Sequence, residues 1–262
     1  MDLGLKGRVA IVTGGSQGIG KAVATSLAAE GASLVLGARN EAILQTLASE
    51  IRTTYRVPVL AQPTDITKPT DIDSLVAQAI ATYGRIDILI NNGGGPPATR
   101  FDNTAIEVWQ QAFELILMSV VHCCRAVIPH MQTQRWGRII NIASISVKQP
   151  IDSLILSNSI RAGVIGLAKS LANELGRDNI LVNNVCPGYT LTDRLQELID
   201  VRATNGITPA QVVAMWQQEI PLGRLGKPEE IADYVVFLAS ERASYLTGTT
   251  VAVDGGRIRG IV

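Results

Sequence analysis

The sequence predicts an α/β fold: a single doubly wound domain, residues 1–262, with a seven-stranded parallel sheet and helices on both of its faces. Short apolar runs rich in β-branched residues alternate along the chain with longer segments in which apolar residues recur at helical spacing. This alternation is typical of parallel strands joined by crossover helices, which cover the sheet on both sides. Because no linker and no shift in composition interrupts the pattern, we expect no domain boundary.

Strand-like and helix-like segments follow one another in a regular order. Apolar, β-branched runs predict seven strands, at 8–13, 33–37, 57–61, 86–91, 137–143, 180–185 and 250–253. Helical spacing predicts six helices between them, at 18–30, 41–54, 70–83, 104–133, 158–176 and 228–240. The interval 191–222 breaks this rhythm, because it is polar and helix-prone and has no strand pattern. An insertion after the carboxyl end of a strand usually covers a site, so we expect 191–222 to cover the substrate.

The composition argues against several classes of function. Lys plus Arg and Asp plus Glu number 23 each, so no basic surface for nucleic acid is indicated. The three cysteines, two of them adjacent, fit neither a disulfide framework nor a zinc site, and we expect no metal site. The first residues lead directly into a strand, and no apolar run approaches about 18 residues. We therefore expect a cytoplasmic protein that does not bind membranes.

The strongest local signal is a glycine-rich turn, residues 14–20, between the first predicted strand and the first predicted helix. Its glycines are Gly14, Gly15, Gly18 and Gly20. Residues without side chains let the backbone turn sharply and approach a ligand, and the helix that follows offers unpaired N–H groups to a pyrophosphate. The turn predicts a Rossmann-type dinucleotide site, and the alternative is a tight turn that binds nothing.

From this turn onward the sequence carries a series of motifs in a characteristic order. They are Thr13-Gly14-x-x-x-Gly18-Ile19-Gly20, Asn91-Asn92-Gly93-Gly94 after the fourth strand, Ser144 after the fifth, Pro187-Gly188 with Thr192 after the sixth, and Val253-Asp254-Gly255-Gly256 after the last. In this order they resemble the short-chain dehydrogenases/reductases, and in particular the 3-oxoacyl-acyl-carrier-protein reductase-like subgroup. The resemblance implies an NAD(P)-dependent oxidoreductase that interconverts a carbonyl and an alcohol.

The end of the second predicted strand indicates which dinucleotide is bound. An acid there would hydrogen-bond the ribose 2′-hydroxyl of NAD, whereas a cation would pair with the 2′-phosphate of NADP. The stretch 36–40 has no acid and contains Arg39, whose guanidinium fits a phosphate in bidentate fashion. We predict NADP, with NAD less favoured; the alternative for Arg39 is a solvated residue in the first turn of a helix.

Further cofactor contacts are implied by the resemblance. Asp65 and Ile66 would contact the adenine ring, Asn92 and Gly93 would line the adenosine and ribose side, and Thr192 would hydrogen-bond the nicotinamide amide. Structural roles also fit: a local turn or a helix-capping acid at Asp65, a tight turn at Gly93, and a helix N-cap at Thr192. The full predicted cofactor set is Gly14, Ser16, Gln17, Gly18, Ile19, Gly20, Arg39, Asp65, Ile66, Asn92, Gly93, Arg161, Pro187, Gly188 and Thr192.

The positions that carry the chemistry depart from the family pattern. The family uses a Ser, a Tyr-x-x-x-Lys pair one helical turn apart, and an Asn on the helix after the fourth strand. The sequence from 162 onward sets the register, which places Ser157 at the tyrosine position and Arg161 at the lysine position. Ile116 stands at the asparagine position, and Ser144 is kept. The predicted catalytic residues are therefore Ser144, Ser157 and Arg161, in an atypical site.

These replacements change the chemistry that is available. A phenol ionises near pH ~10, whereas an alkyl hydroxyl such as Ser157 has no accessible anion, and an arginine holds its proton too tightly to release it usefully. Loss of a positioned general acid usually costs about 10²–10⁴ in rate. Ser144 and Ser157 would together hydrogen-bond the substrate oxygen while a water oriented by Arg161 supplies the proton, or Tyr189 or Lys148 would be the donor. Structural roles remain open for Ser144, as a hydroxyl that satisfies the strand end.

Three functions fit these observations. The first is an NADP-dependent oxidoreductase that acts on a small carbonyl or alcohol substrate, of the 3-oxoacyl thioester kind by resemblance. The second is a catalytically inactive nucleotide-binding protein that acts as a sensor or partner subunit. The third is a different reaction on the same scaffold, such as dehydration or epimerisation. The resemblance also implies a homo-oligomer, a tetramer or dimer, and the apolar face around Leu115 and Val120 suits either a core or an interface.

Overall fold

The computed structural model describes residues 2–203 and 206–261. It contains one seven-stranded parallel sheet in the order β3-β2-β1-β4-β5-β6-β7. The strands are β1 Val9–Thr13, β2 Ser33–Ala38, β3 Val59–Pro63, β4 Ile88–Asn91, β5 Gly137–Ile142, β6 Ile180–Pro187 and β7 Thr250–Val253. The predicted fold class is confirmed. The predicted ranges 1–262 and 191–222 also include residues 1, 204, 205 and 262, which lie outside the described residues.

Helices cover both faces of this sheet. They are α1 Gly18–Ala29, α2 Glu41–Tyr55, α3 Pro69–Tyr83, α4 Ile106–Phe113, α5 Ser119–Gln134, α6 Ile155–Leu175, α7 Asp193–Arg202, α8 Pro209–Glu219 and α9 Pro228–Ala239. Alternate strand residues face opposite sides. Ala10 and Val12 pack with α1, α2 and α9, whereas Val9 and Ile11 pack with α3, α5 and α6.

The structure differs from the prediction at the start of the third strand and within the long helix after the fourth. The third strand begins at Val59 rather than at 57, because Pro58 has no N–H to donate and only its carbonyl oxygen joins the sheet, accepting from Leu34. The predicted helix 104–133 is divided into α4 and α5 by a π-helical turn, Glu114–Met118. The strandless interval after β6 contains α7 and α8, in agreement with its helix-prone composition.

The segment Ile106–Gln134 is long and apolar enough to cross a membrane by length and composition alone, a property that core helices share. Val127 and Met131 on α5 are fully buried and pack on the sheet face formed by Ile139 and its neighbours. These contacts account for the apolar inner face of α5 as part of a protein core.

The amino ends of the central strands are joined by a charged network. Asp87, just before β4, is completely buried and accepts hydrogen bonds from the Val9 N–H (2.9 Å), from Arg8 (3.2 Å) and from Arg85 (2.7 and 2.8 Å). The Arg8 guanidinium also lies 3.8 Å from the centre of the Trp136 ring. Because the Asp87 carboxylate is buried, loss of its hydrogen-bond donors would leave an unpaired charge and destabilise the fold.

We expect Asp87→Ala to lower the free energy of unfolding by about 2–3 kcal/mol, because it leaves the Val9 N–H unpaired and removes the counter-charge of two partly exposed arginines. Asp73→Ala, on the exposed face of α3, is the matched control and should change stability by less than about 0.5 kcal/mol. Urea denaturation at one fixed protein concentration measures both. Equal effects of the two substitutions would contradict the assignment.

Candidate active site

The glycine turn after β1 is packed against the loop after β4. Gly14 and Gly18 have φ angles of 57° and 51°, in the left-handed region that favours glycine. A Cβ on Gly14 would lie 2.4 Å from the Asn92 carbonyl oxygen, and a Cβ on Gly20 would lie 2.2 Å from the Gly14 carbonyl oxygen. The Asn92 side-chain amide donates to that Gly14 oxygen at 3.1 Å. The backbone path of this turn therefore requires glycine.

The amino terminus of α1 opens at this turn. Gln17 occupies the N-cap position, but its side chain makes no capping hydrogen bond, and the first turn of α1 contains no acid. By contrast, Asn40 caps α2 and Thr192 caps α7. Ser16 is half-buried, Gln17 is exposed, and Ile19 packs on the core. A helix start without a side-chain cap leaves its N–H groups and its dipole available to an anion.

The glycine turn borders a crevice at the carboxyl ends of the strands. A second side of this crevice lies beyond β2 and β3. Arg39 is exposed just after β2, and Asp65 accepts hydrogen bonds from the N–H (3.0 Å) and hydroxyl (2.8 Å) of Thr67. Burial acts to raise the pKa of Asp65, but the Thr67 hydrogen bonds and the charges of Lys68 and Arg39 outweigh it and lower that pKa. A Cβ on Gly93 would lie 3.1 Å from Ile66 Cδ1. The structure thus brings the predicted adenine-side residues together.

A recess lies where β1, β4 and β5 end against the π-helical turn and α6. Its lining includes Asn92 and Gly93 from the loop after β4, Ile116 from the π turn, and Arg161 from α6. π-helical turns are frequent at functional sites, because they displace a side chain from the regular helical register. Ile116, at the position where the resemblance places an asparagine, is almost fully buried and presents only hydrocarbon to this recess.

Beneath the recess, asparagine side chains form a ladder across the sheet. Asn91 donates to Asn141 at 2.8 Å, and Asn141 donates to Asn184 at 2.9 Å. All three side chains are buried. The ladder was not predicted, although asparagines within strands that are otherwise apolar are a sequence signal for it. Because buried amides must be paired, the ladder holds β4, β5 and β6 in register at the site.

Arg161 is anchored between the ends of β5 and the loop after β4. Its Nη1 donates to the carbonyl oxygens of Ile142 (3.1 Å) and Ala143 (3.2 Å), and its Nη2 lies 3.5 Å from the Gly94 carbonyl oxygen. Its buried Nε has no hydrogen-bond partner among the described residues. Burial lowers the pKa of Arg161 to about 10, so the side chain remains positively charged at neutral pH.

Three serines are connected beside this cation. Ser144 is half-buried, and its Oγ accepts a hydrogen bond from the Ser146 N–H at 3.1 Å. The Ser146 hydroxyl lies 3.0 Å from the hydroxyl of Ser157, which is buried on α6 one turn before Arg161. Ser157 is thus connected to Ser144 through Ser146, a residue that sequence reasoning did not single out.

The segment after β6 closes the opposite side of the crevice. Pro187 ends β6, and the Gly188 N–H donates to the Val253 carbonyl oxygen at 3.0 Å. The Thr192 hydroxyl accepts from the Leu195 N–H at 3.2 Å and so caps α7, as the structural alternative predicted. A Cβ on Gly18 would lie 3.2 Å from Thr192 Cγ2, so Thr192 packs directly beside the glycine turn.

Among the described residues, the side chains of the two other candidate proton donors make no hydrogen bond to the three serines. Tyr189 is buried, stacks on Trp216 with a centroid distance of 4.3 Å, and accepts a hydrogen bond from Arg257 at 3.0 Å. Burial raises the pKa of Tyr189 above its ordinary value. Lys148 is exposed on the segment after Ser144.

The glycine requirement can be tested without any ligand. Gly20→Ala should destabilise the protein by about 1–3 kcal/mol, because its Cβ conflicts with the Gly14 carbonyl oxygen and must displace backbone. Gly166→Ala, at an exposed position of α6 where a Cβ meets nothing within 4 Å, should instead stabilise it by up to about 1 kcal/mol. Thermal unfolding of the two variants gives the comparison, and a shift in the same direction for both would refute it.

Comparison with known proteins identifies the family of this chain. A family model described as enoyl-(acyl carrier protein) reductase matches residues 14–257. D-beta-hydroxybutyrate dehydrogenase of Rhizobium meliloti is 36% identical, over 95% of this chain and 98% of that protein. The 3-oxoacyl-acyl-carrier-protein reductase of Escherichia coli is 35% identical, over 97% of this chain and 98% of that protein. L-Sorbose reductase from Gluconobacter frateurii, solved with NADPH and L-sorbose, has a TM-score of 0.94 at 36% identity and full coverage of both chains. The chain therefore belongs to the short-chain dehydrogenase/reductase family of oxidoreductases.

Proposed function

We propose that this protein uses NADP(H) to interconvert a carbonyl and an alcohol on a small molecule. The observation that carries this proposal is that three features lie along one crevice. They are the glycine turn with the uncapped start of α1, the cation Arg39, and Arg161 together with Ser144. The first of these suits a pyrophosphate, the second a 2′-phosphate, and the third a polarised carbonyl. Reduction of 3-oxoacyl thioesters is one reaction of this kind.

The residues present fit a phosphorylated dinucleotide. The glycines let the turn follow its tight path beside the start of α1, and Gly94 in the recess lining is open, with nothing within 4 Å of a Cβ. Arg39 is exposed beside the loop of Asp65 and Ile66, where an adenosine would lie, and offers a bidentate partner to a 2′-phosphate. The related L-sorbose reductase was solved with NADPH. We infer NADP rather than NAD on these grounds.

The chain's own residues then have distinct tasks. When bound, NADPH supplies the hydride. Ser144 hydrogen-bonds the carbonyl oxygen of the substrate: its Oγ accepts from the Ser146 N–H, so its own proton is free to donate. Arg161 replaces the family lysine, holding ribose hydroxyls and orienting a water that provides the proton. Ser157, which stands at the tyrosine position, acts as a positioning residue through Ser146.

The surroundings of the site extend the proposal. Helices α7 and α8 follow directly from the site, and Arg194 on α7 donates a hydrogen bond to the Pro96 carbonyl oxygen across the crevice. We infer that this part of 191–222 covers the substrate, within one domain. Exposed apolar side chains on and before α4, including Phe101 and Ile106, suit a homo-oligomer of this chain. We also propose that the protein is cytoplasmic.

Arg39→Gln should weaken NADPH binding by about 10- to 100-fold, since it removes a charged bidentate partner of the 2′-phosphate. NADH binding should change by less than about 3-fold, because NADH has no phosphate at that position. Arg177→Gln, an exposed arginine next to the amino end of β6, is the matched control and should bind both nucleotides normally. Fluorescence titration of both variants measures this, and an equal loss for NADPH and NADH would count against the assignment.

Ser144→Ala should lower kcat by about 10²–10³ with little change in NADPH affinity, because it removes a hydrogen bond to the developing oxyanion. Turnover is measured with NADPH and a panel of 3-oxoacyl thioesters, quinones and small ketones. The competing function, an inactive nucleotide-binding protein, is favoured by the burial of Ser157 and its bond to Ser146. Tight NADPH binding by the unmodified protein without consumption on any substrate would establish that alternative and refute the oxidoreductase.

A further inference from the structure

A second pocket, with a volume of about 370 Å³, lies beside the candidate active site. One wall is the segment 149–152, which follows the Ser144 turn, and another is Tyr189, the residue after Gly188. The end of α8 contributes Glu219, and the tail beyond β7 contributes Arg257 and Arg259. The proposed reaction uses none of these side chains, yet the pocket adjoins both segments that carry the site.

The guanidinium of Arg257 is held rigidly in this pocket's wall. Its side chain is only 10% exposed, and its Nε and Nη2 donate to Glu219 at 3.1 and 2.7 Å. Nη2 also donates to the Tyr189 hydroxyl at 3.0 Å, and the guanidinium carbon lies 4.5 Å from the centre of the Tyr189 ring. The buried Nη1 finds no hydrogen-bond partner among the described residues. A cation fixed in this way is pre-organised for an anionic partner.

The Tyr189 hydroxyl adds a neutral donor. Stacking on Trp216 fixes the ring, and burial raises the pKa of Tyr189, so the phenol keeps its proton at neutral pH. Because the phenol oxygen already accepts from Arg257, its proton is free to be donated to a bound oxygen.

The lining of the pocket has a surplus of positive charge. Arg202, Arg257 and Arg259 face two acids, Asp152 and Glu219, in a chain whose formal net charge is zero. The ion pairs of the described residues leave Arg202 and Arg259 without an acidic partner. Both of these arginines are exposed at the pocket. A local excess of arginine in a concave site favours oxyanions, which accept from guanidinium groups in bidentate geometry.

We propose that this pocket binds an oxyanion, a carboxylate or a phosphate, that the substrate carries away from its reacting carbonyl. Arg257 and Tyr189 form the buried part of the site, and Arg202 and Arg259 form its exposed part. The inference rests on the proposed oxidoreductase function, because it takes Ser144 as the reacting end of the site. It narrows the substrates to oxo acids, hydroxy acids or their phosphorylated counterparts.

Two matched substrate pairs test the proposal and separate the two anions. Turnover with NADPH is compared between 4-oxopentanoate and its methyl ester, and between dihydroxyacetone phosphate and dihydroxyacetone. The anionic member of at least one pair should have a kcat/KM higher by about 10-fold or more, the usual scale of a charged hydrogen bond. Arg257→Gln should abolish that preference, and Arg177→Gln should retain it, with NADPH affinity unchanged in both. Equal turnover of acid and ester, and of phosphate and alcohol, would overturn the proposal.

Direct binding keeps the test decisive if a variant is unstable or if nothing is reduced. Succinate and inorganic phosphate are titrated calorimetrically into the NADP-saturated protein, and binding of either should be lost in Arg257→Gln. Because Arg257 is buried, the double variant Arg202→Gln with Arg259→Gln, at exposed positions, should weaken the same binding without a change in thermal midpoint. Anion binding without any turnover would uphold the pocket and refute the oxidoreductase. Turnover of neutral ketones without anion binding would support the oxidoreductase and refute the anion pocket.

Discussion

The close approach of two loop backbones where the strand order changes direction is the constraint on which the rest of the site depends. The turn after β1 and the loop after β4 meet at Asn92, whose amide donates to the Gly14 carbonyl oxygen and whose N–H donates to the Thr13 hydroxyl at 2.9 Å. A single residue therefore joins both loops through its main chain and its side chain. Because a Cβ at Gly14 or Gly20 would lie inside this contact, only glycine permits it, and α1 then begins directly beside the crevice.

The centre of the sheet could be predicted because its strands are buried on both faces. In β1, for example, Val9 and Ile11 pack in one core and Ala10 and Val12 in the other, so the strand is a continuous apolar run that contrasts with the amphipathic helices. Boundaries were less predictable, since they depend on whether a particular N–H finds a partner on the next strand. The glycine turn was equally visible, because the backbone conformation there restricts the residue type itself.

The interior of the site could not be predicted in the same way, because it is built from side chains far apart in the sequence. Asn141 and Asn184 pair across 43 positions, and Tyr189 and Arg257 meet across 68. Ser146 is inconspicuous in the sequence and becomes important only because α6 places Ser157 within hydrogen-bond distance. Helical periodicity predicts one helix over 104–133, and it does not indicate the π turn at Glu114–Met118 that separates α4 from α5.

In the proposed function Arg161 takes the place of the family lysine, and its guanidinium has a structural role beyond its charge. A planar guanidinium reaches two successive carbonyl oxygens, at Ile142 and Ala143, and so fixes the strand end that carries Ser144. In the proposed mechanism Ser157 offers only an alkyl hydroxyl, so solvent supplies the proton, and the missing general acid costs about 10²–10⁴ in rate. Binding energy from a remote substrate group can offset part of such a loss by holding the carbonyl in reacting geometry. In the proposal, the rigid cation of Arg257 binds the remote group of the substrate, and this positioning makes up part of the rate that a tyrosine phenol would provide.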